Sequence, residues 1–563
     1  MATTALKPHV AACEVSVNGS PLSAQLQEML REVKVVDSLM LPDVAHIRIE
    51  DTKGENVDSH PLKLGAKLEI KMAGETESTM TSIFKGQIAA VEPEFAHHGV
   101  LISIRAYDNS HKLNRVRKTR TFQQVSASDM ATKVAREAGL QPKADSTGLV
   151  HDFFQQSNET DWDFLWRLAL MHDYEVVVTD TDLHFRKAGG SGSQPVTLRW
   201  GDNLTTFRPR MSGIQQVDSV EVRSWDPKAK AVVNGTANRP QTSAKPGIQR
   251  SSVATDLGGG TTAVKDLSVT SAAEANAIAK ATLQRMAEAF YEADGVAFGN
   301  PAVKAGSKVK IEGVGQNFGG EFTVSSSTHA YRGTTGYQTQ FHISGRSART
   351  LTELIRTPDS RVWANGLVVG VVTNNNDPEN RARVRVKYPT LSDKEESAWA
   401  PVATMSAGKQ RGMLMLPLVD EEVVVGFEHG DTRRPIVLGS TFNGKDVPGD
   451  ELIQNKDGSL GVVSNEKIHM HSKKDFEIKS DQKMVVEITS DENTTTKGSH
   501  THEITGSSKT KAQSITVEAG TTLSVKGVSV TVEASGALTL KGATVNIQGS
   551  GAVNVSGGII NLG

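Results

Sequence analysis

The sequence has a single cysteine, Cys13, among 563 residues, so no disulfide can form within the chain. Aromatic residues supply only 5% of it while glycine reaches 50, a balance that suits repetitive β architecture better than a helical enzyme. No run of about 18 apolar residues occurs, which excludes a membrane-spanning helix. The opening MATTALKPHV lacks the basic-then-apolar pattern of a secretory signal. An excess of one charge is also missing: 62 Lys+Arg stand against 64 Asp+Glu, a formal net charge of −2, so no overall field favours nucleic acid or an anionic membrane. The expectation is a protein that is cytoplasmic at synthesis and leaves the cell, if it does, by a route other than general secretion. Motifs that carry catalysis are missing too: there is no His-Glu-x-x-His, phosphate loop, Cys-x-x-Cys or nucleophile elbow.

What is present is a chain that counts. From Ser514 to Gly563, two apolar residues flanking one polar residue recur as Ile515/Val517, Leu523/Val525, Val530/Val532, Leu538/Leu540, Val545/Ile547, Val553/Val555 and Ile560/Leu562, with starts stepping by 8, 7, 8, 7, 8 and 7. Strands alternate their faces, so the intervening Thr516, Ser524, Thr531, Thr539, Asn546, Asn554 and Asn561 point outward. Each step thus offers only two inward apolar side chains, too few for one chain to enclose a core. Three chains around one axis would fill every layer and pair every strand edge. The expectation is an intertwined homotrimeric β-helix whose core is Ile515 to Val555 in the pairs above; a single-chain solenoid and an amyloid-like tail are the alternatives.

Upstream, the chain reads as mainly β. A β-barrel with one early helix, capped at Ser20-Pro21 and carrying Leu22, Leu26, Met29, Leu30 and Val33, extends to about Arg120. A mixed insert follows, with helices at Ser126–Ala138 and Asn158–Met171, the second carrying Trp162, Leu165, Trp166 and Ala169 as one apolar stripe. A hairpin at Tyr174–Val178 and Leu183–Arg186 comes next, and then a stretch of low order from Gly235 to Gly260. Ser271-Ala-Ala-Glu274 opens another helix, and strands at Lys308–Glu312, Glu321–Ser326 and Tyr337–Ser344 close a second barrel. Short strands between Gly366 and Asn443, at Val368–Thr373, Arg383–Pro389, Ala398–Thr404, Met413–Pro417, Glu422–Phe427 and Ile436–Gly439, fit an OB-fold. The domains expected are therefore 1–358, a hub of tandem β-barrels with helical inserts; 359–445, an OB-fold barrel; and 446–563, a linker and the spike.

Several runs resemble the VgrG family, the spike and hub proteins of contractile injection machines: Gln155–Leu165, Ser224-Trp-Asp-Pro-Lys228, Gly319-Gly-Glu-Phe322 and Gly336-Tyr-Gln-Thr-Gln-Phe341 in the hub. Asp377-Pro378, Arg383–Pro389, Pro417–Val425 and Arg434–Gly439 are similar to the family's OB domain. The resemblance covers nearly the whole chain. It implies a non-enzymatic homotrimer that joins an inner tube protein and baseplate proteins to a membrane-puncturing point, with effector cargo and a target membrane as further partners. Its setting would be an injection particle, phage-tail-like, extracellular or of type VI secretion. The sequence leads to no expectation of a lysozyme between OB-fold and spike, nor of a toxin domain beyond the ladder. The end of the ladder, Ile559, Ile560, Leu562 and Gly563, bares strand edges and apolar side chains, and the resemblance supplies a PAAR-type tip protein to cover them; a frayed tuft is the alternative.

Candidate chemistry is sparse. Gly313-Val-Gly315 with Gly319 and Gly320 has the letters of a dinucleotide loop without its spacing, and reads as a hairpin turn. Asp161/Asp163 and Glu421/Glu422 could serve a spike-borne, envelope-degrading glycosidase, the enzymatic alternative, or simply cap helices and strand ends. Arg381, Arg383, Arg385 and Lys387 line one strand face; an OB-fold that binds single-stranded nucleic acid is the other alternative, and a face turned to solvent or to acidic neighbours the plainer one. In Ile468-His-Met-His471 the histidines alternate outward, whereas His500 and His502 share a face with Ile504. On a trimer axis these two would deliver six imidazoles to two adjacent layers, a cage for a transition metal; an outward, unliganded pair is the alternative. Related phage spikes hold iron with a similar His-x-His near the tip, so iron is the ion implied; no cofactor is otherwise required.

Overall fold

The computed structural model describes residues 11–74, 79–97, 99–189, 194–214, 216–240, 245–248, 250–265, 267–269, 271–333, 335–344, 366–392, 394–409, 411–412, 415–447 and 467–562. The chain divides into two compact units, Met1–Asn465 and Glu466–Gly563.

In the first unit an eleven-stranded sheet carries the hub. Its order runs Leu204–Met211, Tyr291–Phe298, Gly336–Ile343, Ser326–Arg332, Leu30–Ser38, Val44–Asp51, Gly99–Asp108, Thr81–Ala96, Lys67–Ala73, Ala12–Val17 and Ser20–Pro21. Alternation builds it: in Val44–Asp51 the residues Ala45, Ile47 and Ile49 are buried while their neighbours are not. The N-terminal strands wrap a core of Val15, Val33, Ile47, Ile70, Met72 and Ile104 into a near-closed barrel. The C-terminal strands, with a second four-stranded sheet, enclose Leu204, Tyr291, Val309, Phe322 and Phe341 as a half-barrel. The tandem barrels of the sequence reading are therefore present, but as one sheet: Ser326–Arg332 pairs antiparallel with Leu30–Ser38, Thr328 opposite Val36. Cys13 is buried there, and burial, with Glu14 beside it, pushes its thiol up to about 12, so it behaves as a small apolar residue.

Five α-helices are described. The first, α1, is only Ala24–Glu28, with Ser23 as its N-cap. Ser20-Pro21 belongs instead to a short strand and Leu30 to Val33 to a long one, because the residues spaced as a helix stripe pair across the sheet. Helix α2, Ala127–Glu137, opens on a cap: Ser126 Oγ accepts from Asp129 N at 3.2 Å, the Asp129 carboxylate answers from the other side, and Gly139 takes φ +74° to end it. Helix α3 is shorter than expected, Asp161–His172, since Asn158 and Glu159 finish the strand Val150–Thr160. It is also buried all round: Phe164, Leu168 and Leu170 are as enclosed as Trp162 and Trp166, so no single stripe exists. The stretch 235–260 holds more structure than expected, including α4, Arg250–Asp256. Helix α5, Ala272–Glu288, starts at Ser271, whose Oγ accepts from Glu274 N at 3.2 Å. It lies so close to the strand Ala231–Ala237 that a Cβ on Gly235 would stand 2.3 Å from the Ala275 carbonyl carbon.

The OB barrel occupies residues 368–440. Its five-stranded sheet runs Ala400–Pro401, Arg383–Lys387, Val368–Asn374, Glu422–Phe427, Pro435–Ser440, around Val372, Val384, Val386, Val423, Val425 and Val437. The Val402 to Val437 bridge joins the first strand's end to the last strand and closes the ring. Residues 413–414 of the expected Met413–Pro417 strand lie outside the described residues, as do both domain boundaries' immediate surroundings at 345–365 and 448–466.

Candidate functional site

Two places in the molecule have the look of working parts. The first is the seam between OB barrel and hub. Asp431, Arg433 and Arg434 leave the barrel in one turn and reach into the hub: Arg433 Nη1 donates to Glu274 Oε1 at 2.7 Å, Nη2 to Asp431 Oδ2 at 2.8 Å and to the Ser268 carbonyl at 3.3 Å. Burial opposes the Arg433 charge, yet Asp431 and Glu274 together hold it above the usual arginine range. The same guanidinium lies 5.3 Å from the centre of the Phe154 ring, and Arg167 approaches that ring at 4.8 Å. Around this lock, Ser268 Oγ donates to the Glu428 carbonyl at 3.0 Å, Thr121 N donates to Glu395 Oε2 at 2.8 Å, and Lys228 Nζ reaches Glu379 at 3.0 Å. Sequence reasoning missed all of these; the only local signal was the charged turn Asp431-Thr-Arg-Arg434.

A cleft of about 770 Å³ opens beside the seam, lined by Trp225, Trp399, His151, Arg381, Arg385 and Arg434 among others. Its arginines are already engaged. Arg383 donates to Asp377 at 2.7 Å, and that hydrogen bond, against some burial, holds Asp377 well below the usual carboxylate range. Arg385 pairs with Glu396 at 3.3 Å and lies over Trp399 at 5.0 Å, and Arg381 stands 3.5 Å from Glu379. A groove that tracks phosphates needs uncompensated cations, so this face is built as an acid-paired one. The carboxylates weighed for glycosidase chemistry have structural employment as well: Asp161 accepts from Lys118 and Arg120, both at 2.6 Å, Asp163 caps α3 with Thr160, and Glu421 accepts from Leu418 N at 3.0 Å. Gly313 and Gly315, at φ +82° and +83°, make the turn between Lys308–Glu312 and Gly320–Thr323.

The second place is the spike. From Lys467 to Leu562 no residue is in a helix or strand and all are exposed in the single chain. Regularity lies in the bends, which begin at 473, 481, 489, 497, 505, 513, 520, 528, 535, 543, 550 and 558. The step is 8 up to 513 and alternates 7 and 8 beyond it. Every expected core pair falls five and three residues before a bend, and the pair members repeat in exposure: Val530 53% and Val532 68%, Val545 50% and Ile547 69%, Val553 50% and Val555 66%. Ile515, Val517, Leu523, Val525, Leu538 and Leu540 hold the same two positions, as do His500 and His502. No expected core residue is buried within one chain. Of the tip residues, Ile559, Ile560 and Leu562 are exposed and Gly563 lies outside the described residues.

Comparison with known proteins bears on the hub and the OB barrel. A family model described as the Alg8 N-terminal domain matches residues 7–332, more than half of the chain, and one described as the type VI secretion system/phage-baseplate injector OB domain matches 368–442. The actin cross-linking toxin VgrG1 of Vibrio cholerae is 24% identical over 503 residues, covering 76% of this chain and 43% of that protein. The chain is a member of the Alg8 N-terminal domain family, and it is similar to VgrG spike proteins. The type VI secretion system spike protein VgrG3 of the same species is 38% identical over 69 residues, 12% of this chain and 7% of that one. The chain thus spans less than half the length of these VgrG relatives. Among solved structures, the E. coli c3393 protein, described as a component of the type VI secretion system, aligns with a TM-score of 0.48 at 13% identity over 76% of this chain and 99% of its own. The matched OB domain includes the turn that locks the VgrG-type barrel to its hub.

Proposed function

We propose that this chain acts as the homotrimeric central spike and baseplate hub of a contractile injection machine, without making or breaking a bond. The observation that carries the reading is the spike ladder: at nine of its twelve bend steps two apolar residues stand in the same position, uncovered in the single chain. Apolar rows of this kind are stable only when neighbours cover them. Three copies would do so, and the hub would seat on the inner tube and baseplate while the spike carries force toward a membrane-puncturing tip. In the same reading a PAAR-type tip protein sits on Ile559, Ile560 and Leu562, and effector cargo travels with the particle. No described helix is long and apolar enough to cross a membrane, which fits a part that is driven through a bilayer rather than resident in it. Sedimentation of the purified full chain tests the reading: a trimer is expected, and a monomer would overturn it. Incubating the trimer with peptidoglycan should release no soluble fragments; catalytic release would replace this reading with the enzymatic one.

A further inference from the structure

The joint between hub and OB barrel holds two histidines that its hydrogen bonds do not use. His151 is buried on the strand Val150–Thr160 and His172 ends α3, with ring centroids 5.8 Å apart and planes crossed at 73°. In each ring Nε2 is enclosed and has no hydrogen-bond partner among the described residues. The charges around the pair are mixed. Glu274, from α5, is the carboxylate felt by both rings; Arg433, from the OB turn, and Asp152, from the same strand, act on His151. Tyr174 meets the His172 ring at 6.3 Å, and Phe154, 5.2 Å from His151, carries Arg433 at 5.3 Å and Arg167 at 4.8 Å. Glu274 already accepts from Arg433 Nη1 at 2.7 Å. A proton on either ring therefore competes with Arg433 for Glu274 and sets a third cation beside two guanidiniums in a site with little water.

We propose that His151 and His172 make the hub–OB joint an acid-sensitive latch: protonating them weakens the Arg433 clasp and lets the OB barrel undock from the hub while both keep their folds. The latch lies within one chain and does not rest on the trimeric reading. Burial holds both histidines neutral: it lowers His151, and with His151 beside it brings His172 down to about 4. Withdrawing the turn 431–434 removes Arg433 and widens the cleft that His151 already lines, so water reaches both rings and their values return toward about 6.5. The undocked form then binds more protons, and it gains on the docked form as the pH falls from about 6.5 toward 4. Full recovery by His172 alone would raise the undocked-to-docked ratio about 30-fold between pH 7.5 and pH 5. Asp377 and Glu379, held below the usual carboxylate range by Arg383 and Lys228, stay charged through that window. His329 provides the contrast. Burial brings it down to about 4 as well, but Tyr337 Oη stands 2.7 Å from its Nδ1 and Ser327 Oγ 3.1 Å from its Nε2, and it lies in the hub sheet on the strand Ser326–Arg332.

Hydrogen exchange of the full chain from about pH 7.5 to pH 4.5, corrected for the intrinsic rate at each pH, tests the latch. Peptides spanning 268–274 and 428–434 should lose protection as the pH falls through about 5, while those from Val44–Asp51 in the hub and Val368–Asn374 in the OB barrel keep it. His151→Gln with His172→Gln should stay protected at the joint over the whole range. Either single substitution should move the midpoint of opening to lower pH, and the single variants decide the matter if the double variant does not fold. Protection at the joint that holds to pH 4.5 would overturn the latch. So would a joint that opens only together with the strand Ser326–Arg332, which is unfolding of the hub, or histidine variants that open at the wild-type pH.

Discussion

His172 ends α3 with its ring centroid 5.8 Å from that of His151, and its Nε2 is enclosed without a hydrogen-bond partner. Burial, with the neighbouring His151 adding to it and Glu274 opposing, pushes His172 down to about 4. A histidine with an ordinary value of about 6.5 when unfolded therefore contributes stability that is complete above 6.5 and is lost as the pH falls through about 4. By pH 5 the loss amounts to about 2 kcal/mol from this group alone. Asp108 works the other way: burial lifts it to about 6 against hydrogen bonds from Ser110, so its contribution is present below about 4 and lost as the pH rises through 6. Comparing His172→Gln with the wild type at each pH cancels the Asp108 part. The variant should be less acid-sensitive, its unfolding midpoint gaining on the wild type between pH 7.5 and pH 5; an unchanged gap would mean that His172 is not buried neutral.

Among the elements, the spike steps and α3 show what a sequence can and cannot say. In the proposed trimer Val530→Asp puts a carboxylate in each of three copies of one step, and burying a charge without a partner costs several kcal/mol per ion. Trimer yield should collapse, while Thr531→Asp, one position along on the outward face, should assemble normally; equal yields would refute the inward assignment. Periodicity was readable here because Val530 and Val532 are apolar and Thr531 is not. The same repeat went unread between Glu492 and Thr510, where the register persists but hydrophobicity no longer marks it. In α1 the failure was of another kind: Leu26, Leu30 and Val33 fit a helix stripe, and tertiary pairing of Leu30 with Ile49 and Val33 with Ile47 took the last two into a strand. The hub's seam was invisible for a third reason. Arg433 and Glu274 are 159 residues apart, and nothing in either neighbourhood names the other. Capping chemistry, being local, was legible at Ser271.

At the scale of the whole molecule, the two units differ in where their stability can come from. Residues 11–447 contain enclosed apolar cores within one chain, so that part of each subunit has a reason to fold by itself. The unit from Glu466 has no buried residue among those described, so in the proposed trimer its order is shared with other copies. Such shared order is lost all at once, because freeing one chain uncovers edges and apolar rows in every chain of the assembly. Detergent and protease should therefore act unequally on the full-length protein. Mild proteolysis in dodecyl sulfate at room temperature should remove the hub and OB barrel first, leaving a fragment that contains Ser514 to Leu562 and migrates as a trimer until boiled. A fragment that migrates as a monomer before boiling, or a spike that is digested ahead of the hub, would show that the ladder is not shared among chains.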